Sequence, residues 1–114
     1  MHELSIAEGV LDIVRQYVPP GETRGVKSVK MKIGTLAGVV PDSLEFCFSA
    51  IIQGTPLQGA ALDIERIPLV LECRECHTRS QSDVNMFLCP SCGSGSVTVV
   101  SGQELQVTEI ELEE

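Results

Sequence analysis

Cysteines at positions 73, 76, 89 and 92 make two Cys-x-x-Cys pairs with twelve residues between Cys76 and Cys89. Two intervening residues let both sulfurs of a pair point inward to half of a tetrahedron, so the two pairs can close around one cation. Soft thiolates in a tetrahedral set select zinc or iron–sulfur, and iron–sulfur proteins usually carry other cysteine runs, so zinc suits this spacing best. A set of four cysteines leaves no position for water or substrate. It shapes a fold and does not itself catalyse. Pro90 and Gly93, around the second pair, supply a tight turn that brings backbone amides toward the sulfurs.

The second chemical signal is His2. A lone histidine near a chain start is ordinarily just solvated. At position 2, however, a free terminal amine at Met1, the next amide nitrogen and the imidazole can close adjacent chelate rings. That set favours a metal preferring square-planar nitrogen ligands, nickel(II) or copper(II). Three donors leave one place open, which the amide or carboxylate of Glu3 could fill. Such a site can receive a cation and pass it on.

Other reactive residues are weaker. Cys73-Arg74-Glu75-Cys76-His77 matches the c-type haem attachment pattern, but that reading needs export and leaves Cys89 and Cys92 unexplained. His77 reads as a solvated residue or a spare ligand beside zinc. Cys47 falls on the apolar face of a helix and reads as a buried small hydrophobe. There is no Gly-x-Ser-x-Gly, no phosphate-cradling loop and no third histidine, so the chain is not expected to be an enzyme.

The 114 residues suit one modest domain whose core, with one tyrosine, three phenylalanines and no tryptophan, must come mainly from Val, Ile and Leu. A metal staple would help it. Glu3, Glu8, Asp12 and Arg15 interrupt the apolar positions of the first twenty residues, so no export leader and no membrane span is expected. A cytoplasmic setting follows, and there paired cysteines signal metal or redox chemistry before disulfides. The formal charge is −8, or about −10 with four thiolates and one zinc, which opposes a polyanionic partner. Glu104, Glu109, Glu111, Glu113 and Glu114 form an acidic end without a base, read as a solvated tail, whereas residues 1–33 are slightly basic.

These groups must be positioned by the rest of the chain. Leu4, Ala7, Val10, Leu11, Val14 and Val18 repeat at helical spacing, with Ser5 and Glu8 as a capping box and Pro19-Pro20-Gly21 as the stop. With Ser5 as cap, Met1, His2 and Glu3 lie outside the helix. Val29, Met31 and Ile33 alternate with Ser28, Lys30 and Lys32, predicting a strand with a basic outer face. Gly34 to Gly38 reads as a loop. Pro41 opens a second helix with Leu44, Cys47, Phe48, Ile51 and Ile52 on one face, closed by Gly54 and Pro56. Leu62 and Ile64 mark a strand, Val97 to Val100 a short one, and Leu105 and Val107 begin a last one. Ile110 and Leu112 fall out of phase with that pair, which predicts a bulge or a strand partly covered on both faces. The fold class is α+β: a small mixed sheet of about three strands with two helices, plus an inserted four-cysteine zinc-ribbon-like module. The domains are 1–69 with 102–114, and 70–101.

Met1-His2-Glu3-Leu4-Ser5-Ile6-Ala7, the stretch Lys32 to Val39 and the paired cysteines resemble the HypA/HybF family of hydrogenase-maturation nickel chaperones. Thr55 to Ala60, Cys89 to Ser94 and Ser101 to Leu105 also resemble it, so the likeness runs almost end to end. It implies His2 as the nickel ligand, helped by backbone nitrogens near the terminus and by Glu3, with Cys73, Cys76, Cys89 and Cys92 holding structural zinc. It further implies delivery of nickel to the large subunit of [NiFe]-hydrogenase, a partner GTPase, HypB, and in some bacteria a part in urease maturation. His77 departs from the family, since many members have glycine there.

The competing function is a zinc-ribbon adaptor binding nucleic acid or transcription machinery. Between Leu71 and Ser101, Arg74 and Arg79 stand against Glu72, Glu75 and Asp83, which is no basic stripe, so nucleic acid is not expected as a partner. A thiol oxidoreductase is the third reading, and full metal retention by the cysteines would dismiss it.

Overall fold

The first apolar stripe folds as helix α1, Glu3–Tyr17, with Ala7, Val10, Leu11 and Val14 buried. Leu4, at the start of that stripe, is half exposed instead. The computed structural model describes residues 3–19, 21, 25–82 and 87–113. The helix begins earlier than a cap at Ser5 would allow. Glu3 is its first described residue, and Ser5 and Glu8 are exposed inside it. A carboxylate there, in the first turn, complements the positive end of the helix dipole. At the other end the Val18 amide still reaches the Val14 carbonyl (2.9 Å) before Pro19 stops the helix.

Strand β1, Val26–Gly34, follows. Val29, Met31 and Ile33 are buried while Ser28, Lys30 and Lys32 are half-buried, the alternation expected of a strand with one covered face. Thr35–Ala37 is a single 3-10 turn, and Gly38 leaves it in the left-handed region at φ 72°. Helix α2, Pro41–Ile51, has proline in its first turn and buries Leu44 and Phe48. Ile52, just beyond it, is buried too, whereas Cys47 and Ile51 are only half-buried. The thiol of Cys47 is therefore less enclosed than its place on the apolar face suggested. Each fully buried aliphatic or aromatic side chain contributes about 1.5–3 kcal/mol, so this row is a main source of stability. Gly54 at φ 74° turns the chain toward strand β2, Ala61–Ile67.

Strands β3, Val70–Cys73, β4, Arg79–Gln81, and β5, Val97–Ser101, precede the last strand, β6, Leu105–Leu112. Among the described residues two three-stranded sheets result, in the orders β2-β1-β6 and β4-β3-β5. With the two helices they form the expected α+β class. β6 runs antiparallel to β1, since the Glu113 amide meets the Gly25 carbonyl (2.6 Å) and the Gly34 amide meets the Glu104 carbonyl (2.7 Å). No residue of β6 is fully buried, and Val107 and Ile110, three apart, are both half-buried, so partial covering on both faces is the outcome.

The basic face of β1 and the acidic end of the chain meet across this pairing. Lys30 Nζ lies 3.1 Å from Glu109, Lys27 Nζ lies 3.6 Å from Glu111, and Ser28 donates to Glu111 at 3.2 Å. The hydrogen bond and charge of Glu109 hold the Lys30 ammonium above its ordinary pKa. Exposed pairs of this kind contribute little to stability and are screened by salt. Glu109 and Glu111 are thus sheet-pairing residues, not members of a free tail.

The chain divides into two compact units. One comprises Met1–Lys32, Val39–Glu65 and Gln106–Glu114, and its core includes Ala7, Val14, Val29, Leu44 and Phe48. The other comprises Ile33–Gly38 and Arg66–Leu105. Within it β3 is the central strand: Val70 pairs with Gln81 and Glu72 with Arg79 on one side, Leu71 with Val99 and Cys73 with Val97 on the other. Leu69, Leu71 and Cys73 are buried at alternate positions. The 33–38 segment joins through Leu36, whose amide meets the Gly102 carbonyl (2.7 Å), and through the Thr35 hydroxyl on the Ile67 carbonyl (3.1 Å). Among the described residues, no helix is long and apolar enough to cross a membrane.

Candidate metal centre

The end of β3 delivers Cys73, and the turn after it delivers Cys76. The His77 amide bonds the Cys73 carbonyl (3.0 Å) and the Cys73 amide bonds the Thr78 carbonyl (3.0 Å). The second pair repeats this frame. The Gly93 amide bonds the Cys89 carbonyl (2.8 Å) and the Cys89 amide bonds the Ser94 carbonyl (2.9 Å). Two knuckles of the same design face each other. The Cys73 and Cys92 sulfurs are 3.5 Å apart, as are those of Cys76 and Cys89, and all four ligand atoms lie within 4.8 Å of one another.

These distances fit one tetrahedral cation. With zinc–sulfur bonds of about 2.3 Å, the edge of a regular tetrahedron of four sulfurs is about 3.8 Å. All four cysteines are free thiols. Cys73 and Cys89 are buried and Cys76 and Cys92 exposed, so the cage is closed in coordination while one side meets solvent. The amides of Glu75 and Cys76 both donate to the Cys73 sulfur at 3.4 Å, the backbone contacts that orient a knuckle sulfur.

The hydroxyl of Thr78, 3.3 Å from the Cys76 sulfur, acts with its own backbone amide and the Cys89 thiol to hold Cys76 down at about 6. The Ser94 amide pulls Cys92 the same way. The Cys73 thiol, partial desolvation and the Cys89 and Cys76 thiols outweigh it and push Cys92 up to about 12. At neutral pH a cation entering the cage finds Cys76 ionised and must displace the proton of Cys92.

The four cysteines named from their spacing are thus brought together. His77 is exposed, with φ 60°, and does not belong to the cluster. Thr78 and Ser94, which tune the sulfurs, escaped the sequence reading; a hydroxyl two residues after a knuckle cysteine is the only hint of the first. At the other candidate site Met1 and His2 lie outside the described residues. Glu3 is described: half-buried, it opens α1, and its carboxylate accepts a hydrogen bond from the Val40 amide at 3.5 Å.

Comparison with known proteins gives the family. Residues 1–112 match a family model described as HypA, hydrogenase/urease nickel incorporation, metallochaperone. The hydrogenase maturation factor HypA of Geotalea uraniireducens (strain Rf4) is 43% identical over 113 residues, covering 99% of this chain and 100% of that protein. That of Desulfatibacillum aliphaticivorans is 41% identical over 114 residues, covering 98% of this chain and 87% of that one. The fold is similar to the solution structure of the Ni metallochaperone HypA from Helicobacter pylori, with a TM-score of 0.65, 20% identity, and 99% and 98% of the two chains covered. With a metal cage, a matching fold and relatives aligned over nearly their full length, the chain belongs to the HypA family of hydrogenase/urease nickel-incorporation metallochaperones.

Proposed function

We propose that this chain binds nickel(II) at its N-terminal end and delivers it during maturation of [NiFe]-hydrogenase, while zinc in the Cys73, Cys76, Cys89 and Cys92 cage maintains the fold. The observation that carries the reading is the completeness of the cage. Four sulfurs within 4.8 Å satisfy one tetrahedral ion and leave no position for a cargo that must be exchanged. Thiolates in this geometry suit zinc. Nickel then needs nitrogen donors elsewhere, and the chain has two histidines, of which His77 adjoins the cage. His2 is the remaining imidazole.

In this reading His2 ligates nickel with the backbone nitrogens at Met1 and the next residues, and Glu3 completes the set. Few protein ligands hold the ion, so a docked acceptor offering a better set takes it. The acceptor is the hydrogenase large subunit, with the GTPase HypB as the partner in delivery and urease maturation as a further destination. Residues 1–69 with 102–114 serve as the nickel-binding domain and 70–101 as the zinc module. The protein acts in the cytoplasm, without nucleic acid or membrane partners, and moves a metal without catalysing a reaction. Extending the chain beyond Met1 with a short tag removes the terminal amine and tests this. Nickel affinity by calorimetry should fall while zinc content stays at one per chain; unchanged nickel affinity would refute an amine ligand.

A further inference from the structure

We infer that the free edge of strand β2, with the exposed Phe46 of helix α2 beside it, docks an extended cationic segment of a partner protein by strand addition. In the sheet order β2-β1-β6, β2 has β1 on one side and, among the described residues, no strand on the other. The amides and carbonyls of that outer side are therefore open to a further strand. Between Ala61 and Ile67, β2 carries neither the lysine nor the proline by which proteins commonly close such an edge. Beside its start lies a groove of about 470 Å³, lined by Asp42, Glu45, Phe46 and Ser49 of α2 and by Ala61 and Leu62. Leu44 and Phe48 fill the core side of α2, whereas Phe46 is 73% exposed and holds its ring in solvent.

Charge decides what fits this edge. Asp42 and Glu45 are exposed on the helix side, and among the described residues neither makes an ion pair. Along β2, Leu62 and Ile64 are covered, while Asp63 and Glu65, at the alternate positions, are exposed on the opposite face. A strand laid on this edge meets carboxylates on both of its faces. The one base of β2, Arg66, stands near its far end, and Lys30 of the neighbouring β1, which feels the charge of Asp63, is engaged by Glu109 at 3.1 Å. Lysine or arginine side chains complement that field, and one of them over the Phe46 ring adds a cation–π contact. Backbone pairing supplies the affinity of such a complex and the side chains its selectivity. A second copy does not suit the edge. Pairing β2 with β2 would set Asp63 and Glu65 against the same residues, in a chain of net charge −8. The groove residues belong to one compact unit and the cysteine cage to the other, so docking here does not depend on where nickel is held.

The test is NMR titration of the full-length, zinc-loaded protein with a short blocked peptide that alternates arginine and valine. Amide shifts should concentrate on Ala61 to Glu65 and ring shifts on Phe46, and a peptide alternating glutamate and valine should leave both unmoved. Phe46→Ala removes a side chain already in solvent, so it should keep the parent's melting temperature and weaken the arginine peptide about tenfold. Asp42→Asn combined with Glu45→Gln should weaken it by a similar factor of about ten and flatten its salt dependence. This double variant changes exposed positions only and judges the surface even where Phe46→Ala melts lower. Methylating the peptide nitrogens along one edge should abolish binding, because strand addition needs those donors. Shifts centred on β6 or spread evenly over the acidic surface would overturn the inference, as would no binding or equal binding by the neutralised double variant. Shifts at Ala61 to Glu65 that appear on concentrating the peptide-free protein would make a second copy the occupant and overturn it too.

Discussion

His77 occupies in the first knuckle the place that Gly93 occupies in the second. Each follows the closing cysteine of its pair and sends its amide to the carbonyl of the opening one, at 3.0 and 2.8 Å, and each has a positive φ, 60° and 75°. The left-handed conformation costs a residue with a Cβ about 1–2 kcal/mol and glycine almost nothing. His77→Gly removes that strain, partly offset by the wider freedom of glycine in the unfolded chain, so a net gain of about 0.5 kcal/mol is expected. Gly93→Ala should lose about 1 kcal/mol, for conformational reasons alone, because an added Cβ meets nothing within 4 Å. Thermal unfolding of the metal-loaded proteins checks both; an unshifted Gly93→Ala would speak against the shared geometry.

Removing a sulfur from the cage should unfold its surroundings. Cys73 is 1% exposed and sits at the end of the central strand of its sheet, so Cys73→Ser loses a ligand and a core side chain together. Loss of stoichiometric zinc and of about 3 kcal/mol or more of stability is expected. Wild-type metal content and melting would contradict the four-sulfur site.

Proton competition should set the acid limit of metal retention. The sign follows from the two perturbed thiols: Cys76, held down at about 6, is ionised at neutral pH and protonates as the pH falls through that value. Cys92, pushed up to about 12, gives up a proton whenever metal binds below that pH. Affinity should therefore rise with pH, and one more proton should be released per metal below about pH 6 than above it. Thr78→Val removes the hydroxyl beside Cys76 and should move its thiolate absorbance, in chelator-treated protein, to higher pH. A titration identical to the parent would show that Thr78 does not tune the sulfur.

Gly34 and Gly102 must both remain glycine, for different reasons. A Cβ on Gly34 would run into the backbone carbonyl of Gly102, and Gly102 itself has φ 115° with its added Cβ 2.8 Å from the Leu69 Cα. Neither neighbour is a flexible side chain that could yield. Gly34→Ala should cost about 3 kcal/mol or fail to fold, whereas Gly54→Ala, with open space around it, should lose only about 1 kcal/mol through its positive φ. Equal stability of the two variants by chemical denaturation would refute the close approach.

What could be read from residues alone followed the strength of their periodicity. The α1 stripe, the alternation in β1 and the Pro41 start of α2 are repeated over many positions, and each appeared where its pattern lay. The Cys-x-x-Cys pairs were legible because metal geometry constrains spacing directly. β3 and β4 were not legible. Four residues ending in Cys73, and the polar run Arg79-Ser80-Gln81, are too short to show a period, and pairing partners make them strands. The start of α1 was misplaced because Ser5 and Glu8 carry the capping-box pattern while Glu3 is held by Val40, thirty-seven positions away. The ties from Lys27 and Lys30 to Glu111 and Glu109 are likewise contacts between distant segments. No local signal announces them.

The central claim is that cargo and structural metal occupy separate ligand sets. Calorimetric nickel titration of untagged zinc-loaded protein, beside His2→Ala with zinc content measured before and after, tests it most directly. The account predicts one nickel bound with zinc retained, and a loss of about a hundredfold in nickel affinity for His2→Ala with zinc and unfolding temperature unchanged. Nickel bound equally well by His2→Ala, or taken up only as zinc leaves the cysteines, would contradict it.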